Sequence, residues 1–395
     1  MDLLGRYYTQ NFVSDLLIDS LITIAPQKVL DLGVGDASLT LSAYRRWENA
    51  QFYATEIEQN KVEELGKKLS FLQIFHCDTL KPSIENEIKS KFGTIDVAIC
   101  NPPYVKIKDS TIYKKLFEDA DCSSFLEMKQ ITSEIVFFAH NITLLKNDGE
   151  LGIIVSDSLI TGKNFKIFRE IVLSKFNLTS IIQLPDKIFH KTEARTHILI
   201  LAKKPSISTT CELFTTNENG ILSKKIVVKK ECLINRMDYK FFLNEETLTT
   251  NLPTLKSINA DIRRGKTSYK DLRTKNISYF HSIHLGNDGE RFIFNDDVVD
   301  NLIYTSAGIG DILMCRVGKR CVGKLGFVGK GEIVISDCIY KISVDKKYQE
   351  LVWNSLMSKK GKLWIKSYSH GVCSQLISKC DLINFPLFAL NNNEI

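Results

Sequence analysis

Short apolar runs punctuate the first half of the chain, and each stops at a polar residue. KVLDL, inside the stretch 28–39, carries Asp31; QFYATE reaches Glu56; LQIFHC reaches Asp78; IDVAIC runs into Asn101. Nearly continuous apolar character over a short length predicts strands buried on both faces, as in a parallel sheet. Between them, residues 57–69 and 83–91 read as helices. Residues 130–146 continue the alternation, with Ile131, Ile135, Phe138, Ile142 and Leu145 at helical spacing. A turn at NDGE leads into LGIIVS, a helix at 163–175 follows, and LTSIIQL and HILILA bring the strands to seven. The last two, joined by the turn-rich PDKIFHKTEART, are expected to pair as an antiparallel hairpin at one edge.

The pattern then changes. Residues 206–252, with SISTT, a turn at Asn219–Gly220, IVVKK and EETLTTNLP, read as a connecting segment between a domain at 1–205 and another at 253–395. In the second domain, DIRRGKTS and GDILMCRVGKRCVGKLGFVGKGEIVISDCIYKISV alternate apolar runs with glycine turns and basic residues. That is the pattern of twisted β-structure with basic loops. Residues 348–367 read as one helix with Leu351, Leu356, Leu363 and Trp364 facing a core.

Charge sharpens the division. Residues 1–205 hold 25 Lys/Arg against 26 Asp/Glu, whereas the remainder holds 27 against 20. A basic half joined to a neutral half suggests that the second half grips a polyanion, although a solvated basic surface reads the same way. Ten cysteines occur without a CxxC, Cys315 and Cys321 lack a second pair, and His281 and His284 lack partners. Reduced thiols are expected, with no metal site. There is no apolar run long enough to span a bilayer and no signal-peptide pattern, so the expected location is cytoplasmic.

The chemistry concentrates in Asn101, Pro102, Pro103 and Tyr104. A planar amino or amide nitrogen is a poor nucleophile because its lone pair is delocalised. The Asn101 side-chain oxygen and the Pro102 carbonyl can accept both of its hydrogens and so localise that lone pair. The proline pair stiffens the turn, and Tyr104 offers a flat face for stacking a base. Upstream, Gly33 and Gly35 follow Asp31, a turn that lets a nucleotide-like ligand approach the backbone. Glu56 could grip ribose hydroxyls and Asp78 an adenine amino group. Each acidic residue alone also reads as a solvated strand end, and Asp36 is assigned to that class. In an open parallel sheet, ligands bind at the carboxyl ends of strands, where all four polar residues fall.

On these residues, 1–205 resembles the catalytic domain of gamma-class, TaqI-type adenine-N6 methyltransferases of DNA. The resemblance implies an α/β fold, with a Rossmann-like seven-stranded methyltransferase sheet covered by helices on both faces. It implies S-adenosylmethionine as methyl donor, with Gly5 and Thr9 of GRYYTQ closing over its methionine part. Asp31 and Gly33 would line the methionine end, Glu56 the ribose and Asp78 the adenine, with Phe137 near the cofactor ring. Asn101 and Pro102 would hold the amine of a flipped-out adenine, and Tyr104 and Phe189 would stack on it from opposite sides. Gln10 replaces the usual proline, and Ala37 stands where a third glycine is common. Residues 253–388 resemble the target-recognition module of Type I restriction specificity subunits, an α+β domain. Arg263, Arg264, Lys266, Arg316, Lys319 and Arg320 become candidate contacts to double-stranded DNA.

The resulting expectation is a site-specific DNA adenine-N6 methyltransferase of a restriction-modification or related defence system. A cognate restriction endonuclease or a specificity subunit would be its protein partner. The alternatives are a glutamine-N5 protein methyltransferase, which shares the NPPY motif, and a non-catalytic specificity subunit. PDKIFHKTEAR has the outline of a PD…ExK nuclease site, but Arg195 stands where lysine would, and the reading is methylation only.

Overall fold

A computed structural model describes residues 11–185, 188, 195–206, 208–248, 252–296, 303–318, 320–370 and 375–388. The chain divides into two compact units, Met1–Phe242 and Leu243–Ile395.

In the first unit the strands are β1 (Lys28–Leu32), β2 (Gln51–Glu56), β3 (Leu72–His76), β4 (Ile95–Cys100), β5 (Leu145–Ser156), β6 (Asn177–Gln183), β7 (Thr196–Ala202), β8 (Thr210–Thr215) and β9 (Ile226–Lys229). They form one sheet in the order β3-β2-β1-β4-β5-β7-β6-β8-β9. The pairs from β3 through β5 are parallel, and β7 lies antiparallel to both β5 and β6. This is the α/β architecture expected from the apolar runs. The β6–β7 hairpin is not at the edge, however. The supposed connecting segment supplies β8, parallel to β6, and β9, antiparallel to β8, so the sheet has nine strands among the described residues.

Strand alternation sends side chains into two cores. Val29, Val97, Ile99, Ile154 and Ile200 pack on one face, with residues of the helices α1 (Asn11–Asp19), α2 (Ser38–Arg46) and α3 (Gln59–Lys68). Leu30, Ala98, Cys100, Ile153 and Leu199 pack on the other. There they meet α4 (Ile84–Phe92) and, beyond α5 (Lys114–Asp119), α6 (Ser133–Leu144). Almost every side chain of α6 is buried, the polar Ser133, Glu134, His140 and Asn141 together with its apolar residues. At Gly152 on β5 an added Cβ would lie 2.6 Å from Leu17 Cδ2, so the glycine is what lets α1 approach that strand.

The second unit has β10 (Asp261–Arg264), β11 (Tyr279–Phe280), β12 (Glu290–Asp296), β13 (Ser306–Ala307), β14 (Ile312–Cys315), β15 (Leu325–Ile335) and β16 (Ile339–Ser343). The path β10-β16-β14-β15-β11 forms its sheet, and β12 and β13 also pair with the long β15. The helix expected over 348–367 is two helices, Lys346–Met357 and Lys359–Tyr368. Ser358 leaves helical geometry at ψ 156°, and its hydroxyl accepts from Gly361 N at 2.9 Å as the cap of the second helix. A Cβ on Gly361 would lie 2.0 Å from the Ser355 carbonyl, so the break depends on glycine there. Val352 and Leu356 set the buried face of the first helix, which leaves Leu351 at 37% exposure instead of in the core.

Candidate active site at the strand ends

Because β3, β2, β1 and β4 are neighbours and parallel, their carboxyl ends fall along one edge of the sheet. That edge brings together Asp78, Glu56, Asp31 and Asn101, which are scattered in the sequence.

Asp31 is 2% exposed. Its Oδ2 accepts from the Thr40 hydroxyl at 2.8 Å, and its Oδ1 is buried with no hydrogen-bond partner among the described residues. Burial pushes its carboxyl up to about 7; the nearby Glu56 adds to the rise, and the Thr40 hydrogen bond opposes it. A buried carboxylate oxygen without a donor is a site for a cation or an N–H group.

The turn after β1 is held open by its glycines. Gly33 has φ +78° and donates to Thr55 Oγ1 at 2.9 Å. A Cβ there would lie 3.3 Å from the Phe137 ring, so α6 places Phe137 against this turn. Gly35 has φ +55°, donates to Glu56 Oε2 at 3.1 Å, and has open space where a Cβ would project. Ala37 also adopts the left-handed conformation, at φ +60°, so the non-glycine residue keeps the backbone shape that glycine would prefer. Glu56, 4% exposed, accepts from the amides of Ile57 at 2.9 Å and Glu58 at 3.0 Å through Oε1. A carboxylate has about four lone-pair sites, and with Gly35, Ile57 and Glu58 donating, acceptance from one further hydroxyl remains open to it. Asp78 is exposed, and its Oδ1 accepts from Leu80 N at 2.8 Å.

Beyond β4, Pro102 is buried and Tyr104 donates its hydroxyl to Asn101 Oδ1 at 3.1 Å. Ser133, which opens α6, holds the same loop. Its hydroxyl contacts the Pro103 carbonyl and accepts from Val105 N at 3.1 Å, and its own amide donates to the Val105 carbonyl at 2.9 Å. One residue on, Glu134 accepts from Ser156 N at 2.7 Å at the end of β5. Burial pushes the Glu134 carboxyl up to about 7, against the hydrogen bonds from Ser156. Thr40, Ser133 and Glu134 were not singled out from sequence, since each acts through a partner distant along the chain. Thr9 and Phe189 lie outside the described residues.

In the second unit the basic candidates separate. Arg264 Nε and Arg316 Nη1 both donate to the single carbonyl oxygen of Asp337, at 3.0 and 3.1 Å, and Arg264 also meets the Asp337 carboxylate at 3.2 Å. Arg316 lies over the Tyr340 ring, 5.6 Å from its centroid. Arg263 pairs instead with Asp261 at 2.7 Å, and Lys266 and Arg320 are exposed. Lys319 lies outside the described residues. Among the described residues no group of His, Cys, Asp and Glu has the geometry to hold a metal ion.

The chain has relatives among known proteins. The type II methyltransferase M.BsuBI of Bacillus subtilis is 23% identical over 296 residues, 66% of this chain and 58% of that protein. RM.MjaORFECS2P of Methanocaldococcus jannaschii is 34% identical over 163 residues, 39% of this chain and 13% of that protein. The chain therefore spans less than two thirds of the length of either relative. The crystal structure of the type IIG restriction endonuclease BpuSI shares the fold, with a TM-score of 0.50 and 15% identity over 96% of this chain and 57% of that one. Residues 2–236, more than half of the chain and including every strand-end residue described above, match N-6 DNA Methylase, and the protein belongs to that family.

Proposed function

We propose that the protein methylates the N6 amino group of adenine at particular sites in double-stranded DNA, with S-adenosylmethionine as donor, as part of a restriction-modification system. The observation that carries this reading is the placement of the Asn101–Tyr104 loop at the end of β4, beside the Asp31, Gly33 and Glu56 cluster at the ends of β1 and β2.

The residues present fit the cofactor. The buried Oδ1 of Asp31, without a partner among the described residues, suits the methionine ammonium, the glycine turn leaves room that a Cβ would narrow, and Glu56 retains an acceptor site for a ribose hydroxyl. Phe137 supplies an apolar wall beside Gly33. When bound, S-adenosylmethionine supplies a methyl group already activated on its sulfonium. What remains for the protein is positioning, which can lower a barrier without any acid–base group. Asn101 Oδ1 and the Pro102 carbonyl would accept the two amine hydrogens and aim the lone pair. Tyr104 would stack on the extruded base, offsetting part of an unstacking cost of a few kcal/mol. Cys100 is buried, its thiol is pushed well up by burial, and it donates to the Leu32 carbonyl at 3.3 Å, which suits a core residue and not a covalent nucleophile.

For the second unit we propose DNA target recognition, supported by its basic charge and by the Arg264–Arg316 pair held on Asp337. A cognate nuclease or specificity subunit would be its partner. Modification-sensitive sequencing of DNA with and without the protein tests the whole reading. N6-methyladenine at a restricted set of sites is expected, and label found only in protein glutamine would overturn it.

A further inference from the structure

Ser133 occupies an unusual place: it is fully buried, and it holds the chain on both sides of Tyr104. A hydroxyl has one proton. The closer of its two carbonyl contacts is Pro103 O, so it donates there and accepts from Val105 N, while its backbone amide takes the Val105 carbonyl. The peptide groups before and after Tyr104 are thereby fixed by one side chain. The clamp extends along the loop, since Ile107 N donates to the Ile131 carbonyl at 3.0 Å. The same helical turn reaches the rest of the site: Glu134 holds the end of β5, and Phe137 abuts Gly33.

We propose that Ser133 is a positioning residue for methyl transfer, setting the Asn101–Tyr104 loop against the cofactor turn through its hydroxyl. This rests on the reading of that loop as the amine site. Removing the hydroxyl leaves the Pro103 carbonyl without its donor and the Val105 amide without its acceptor in a half-buried place. The loop then shifts relative to α6, while Asp31, Gly33 and Glu56 keep their own hydrogen bonds. The effect therefore falls on turnover and not on cofactor binding.

The experiment compares purified wild type, Ser133→Ala and Ser133→Cys in single-turnover methylation of duplex DNA, alongside S-adenosylmethionine binding by calorimetry and thermal melting. For Ser133→Ala the rate constant should fall about 10- to 100-fold, the scale of a sub-ångström to ångström misplacement, with cofactor affinity unchanged. Ser133→Cys conserves volume but makes longer, weaker hydrogen bonds, and it should show a smaller rate loss with a native melt. Wild-type rates in both variants would overturn the proposal, and so would loss of folding in both, which would make Ser133 structural. If wild type itself transfers no label to DNA, it is the reading of the site that fails, whatever the variants do.

Discussion

The Tyr104 hydroxyl donates to the Asn101 side-chain oxygen at 3.1 Å, so the atom proposed to receive the substrate amine already has a donor. An amide oxygen has two lone pairs, so an incoming base either shares that oxygen with the hydroxyl or displaces it, while gaining the tyrosine ring as a stacking surface. Tyr104→Phe keeps the ring and removes the competitor, and methylation should stay within a few-fold of wild type. Tyr104→Ala should lose about 1–3 kcal/mol of base stacking, read as weaker DNA binding in the productive complex. Asn101→Ala should abolish transfer and leave S-adenosylmethionine binding intact. If Phe fails as badly as Ala at position 104, the hydroxyl has a role beyond this contact.

Cofactor affinity should depend on pH through Asp31. Its carboxyl is held up at about 7, chiefly by burial, so near neutrality it is partly protonated. A cationic ammonium binds the ionised form, so affinity should strengthen as pH rises from 6 to 8. Below the titration point the gain approaches about tenfold per pH unit, with release of one proton on binding. Calorimetry in buffers of different ionisation enthalpy reads that proton directly, and Asp31→Asn should abolish both the proton release and the slope.

Glu134 makes a separate, stability-based prediction. Its folded carboxyl titrates near 7 against an ordinary value of 4.5, so between those pH values the folded protein keeps a proton that the unfolded chain releases. Its contribution to stability is therefore full below about pH 4.5 and is lost as pH rises to about 7. Glu134→Gln should remove this loss, improving relative to wild type by on the order of 3 kcal/mol between pH 4.5 and 8. Chemical denaturation at several pH values checks the sign, and a constant difference would refute it.

Fragments ending at residue 205 and at residue 242 should behave differently. Cys211 and Leu213 of β8, with Leu233, Met237, Tyr239 and Phe242, belong to the same buried core as β4 and α6. Cutting at 205 removes them and uncovers β6, whereas cutting at 242 follows the boundary of the unit. The longer fragment should melt cooperatively and bind S-adenosylmethionine without sequence-specific methylation. The shorter should aggregate or melt at a clearly lower temperature.

In the second unit, Arg264→Ala and Arg316→Ala should each weaken DNA binding while leaving cofactor affinity alone. If the lost contact is to a phosphate, the log–log salt dependence should also become shallower by about 0.9. Asp337→Ala should weaken binding less than removal of both arginines, because it deletes only the carboxylate that meets Arg264 and keeps the main-chain carbonyl that holds both guanidinium groups. Unchanged DNA affinity in all three variants would assign the basic surface another task.

What was legible in the sequence was local. An apolar run ending in a polar residue is a strand end, and Asp31, Glu56, Asp78 and Asn101 all stand at or just beyond one. The edge strands were harder to read, because β9 is only partly buried, with Val227 at 55% exposure, and so carries little apolar signal. The helix break at Ser358 was hidden because apolar spacing continues through it, and its cause is a close approach of Gly361 to the Ser355 carbonyl. The Asp31–Thr40 and Ser133–Pro103 contacts depend on tertiary geometry that periodicity does not encode. The convergence of Arg264 and Arg316 on Asp337 is of the same kind, since it joins β10 to the turn between β15 and β16.

The nine-stranded order has a kinetic consequence. The strand-end cluster is assembled from β1, β2, β3 and β4, which meet only through parallel pairings across intervening helices. Such pairings close long loops before contacts offset the lost chain entropy, so they form slowly. The cluster consequently has no local precursor: among the described residues, no single helix or hairpin contains half of it. During refolding, helical signal should return well before ligand binding, and the capacity to bind should appear together with the final closing of the sheet.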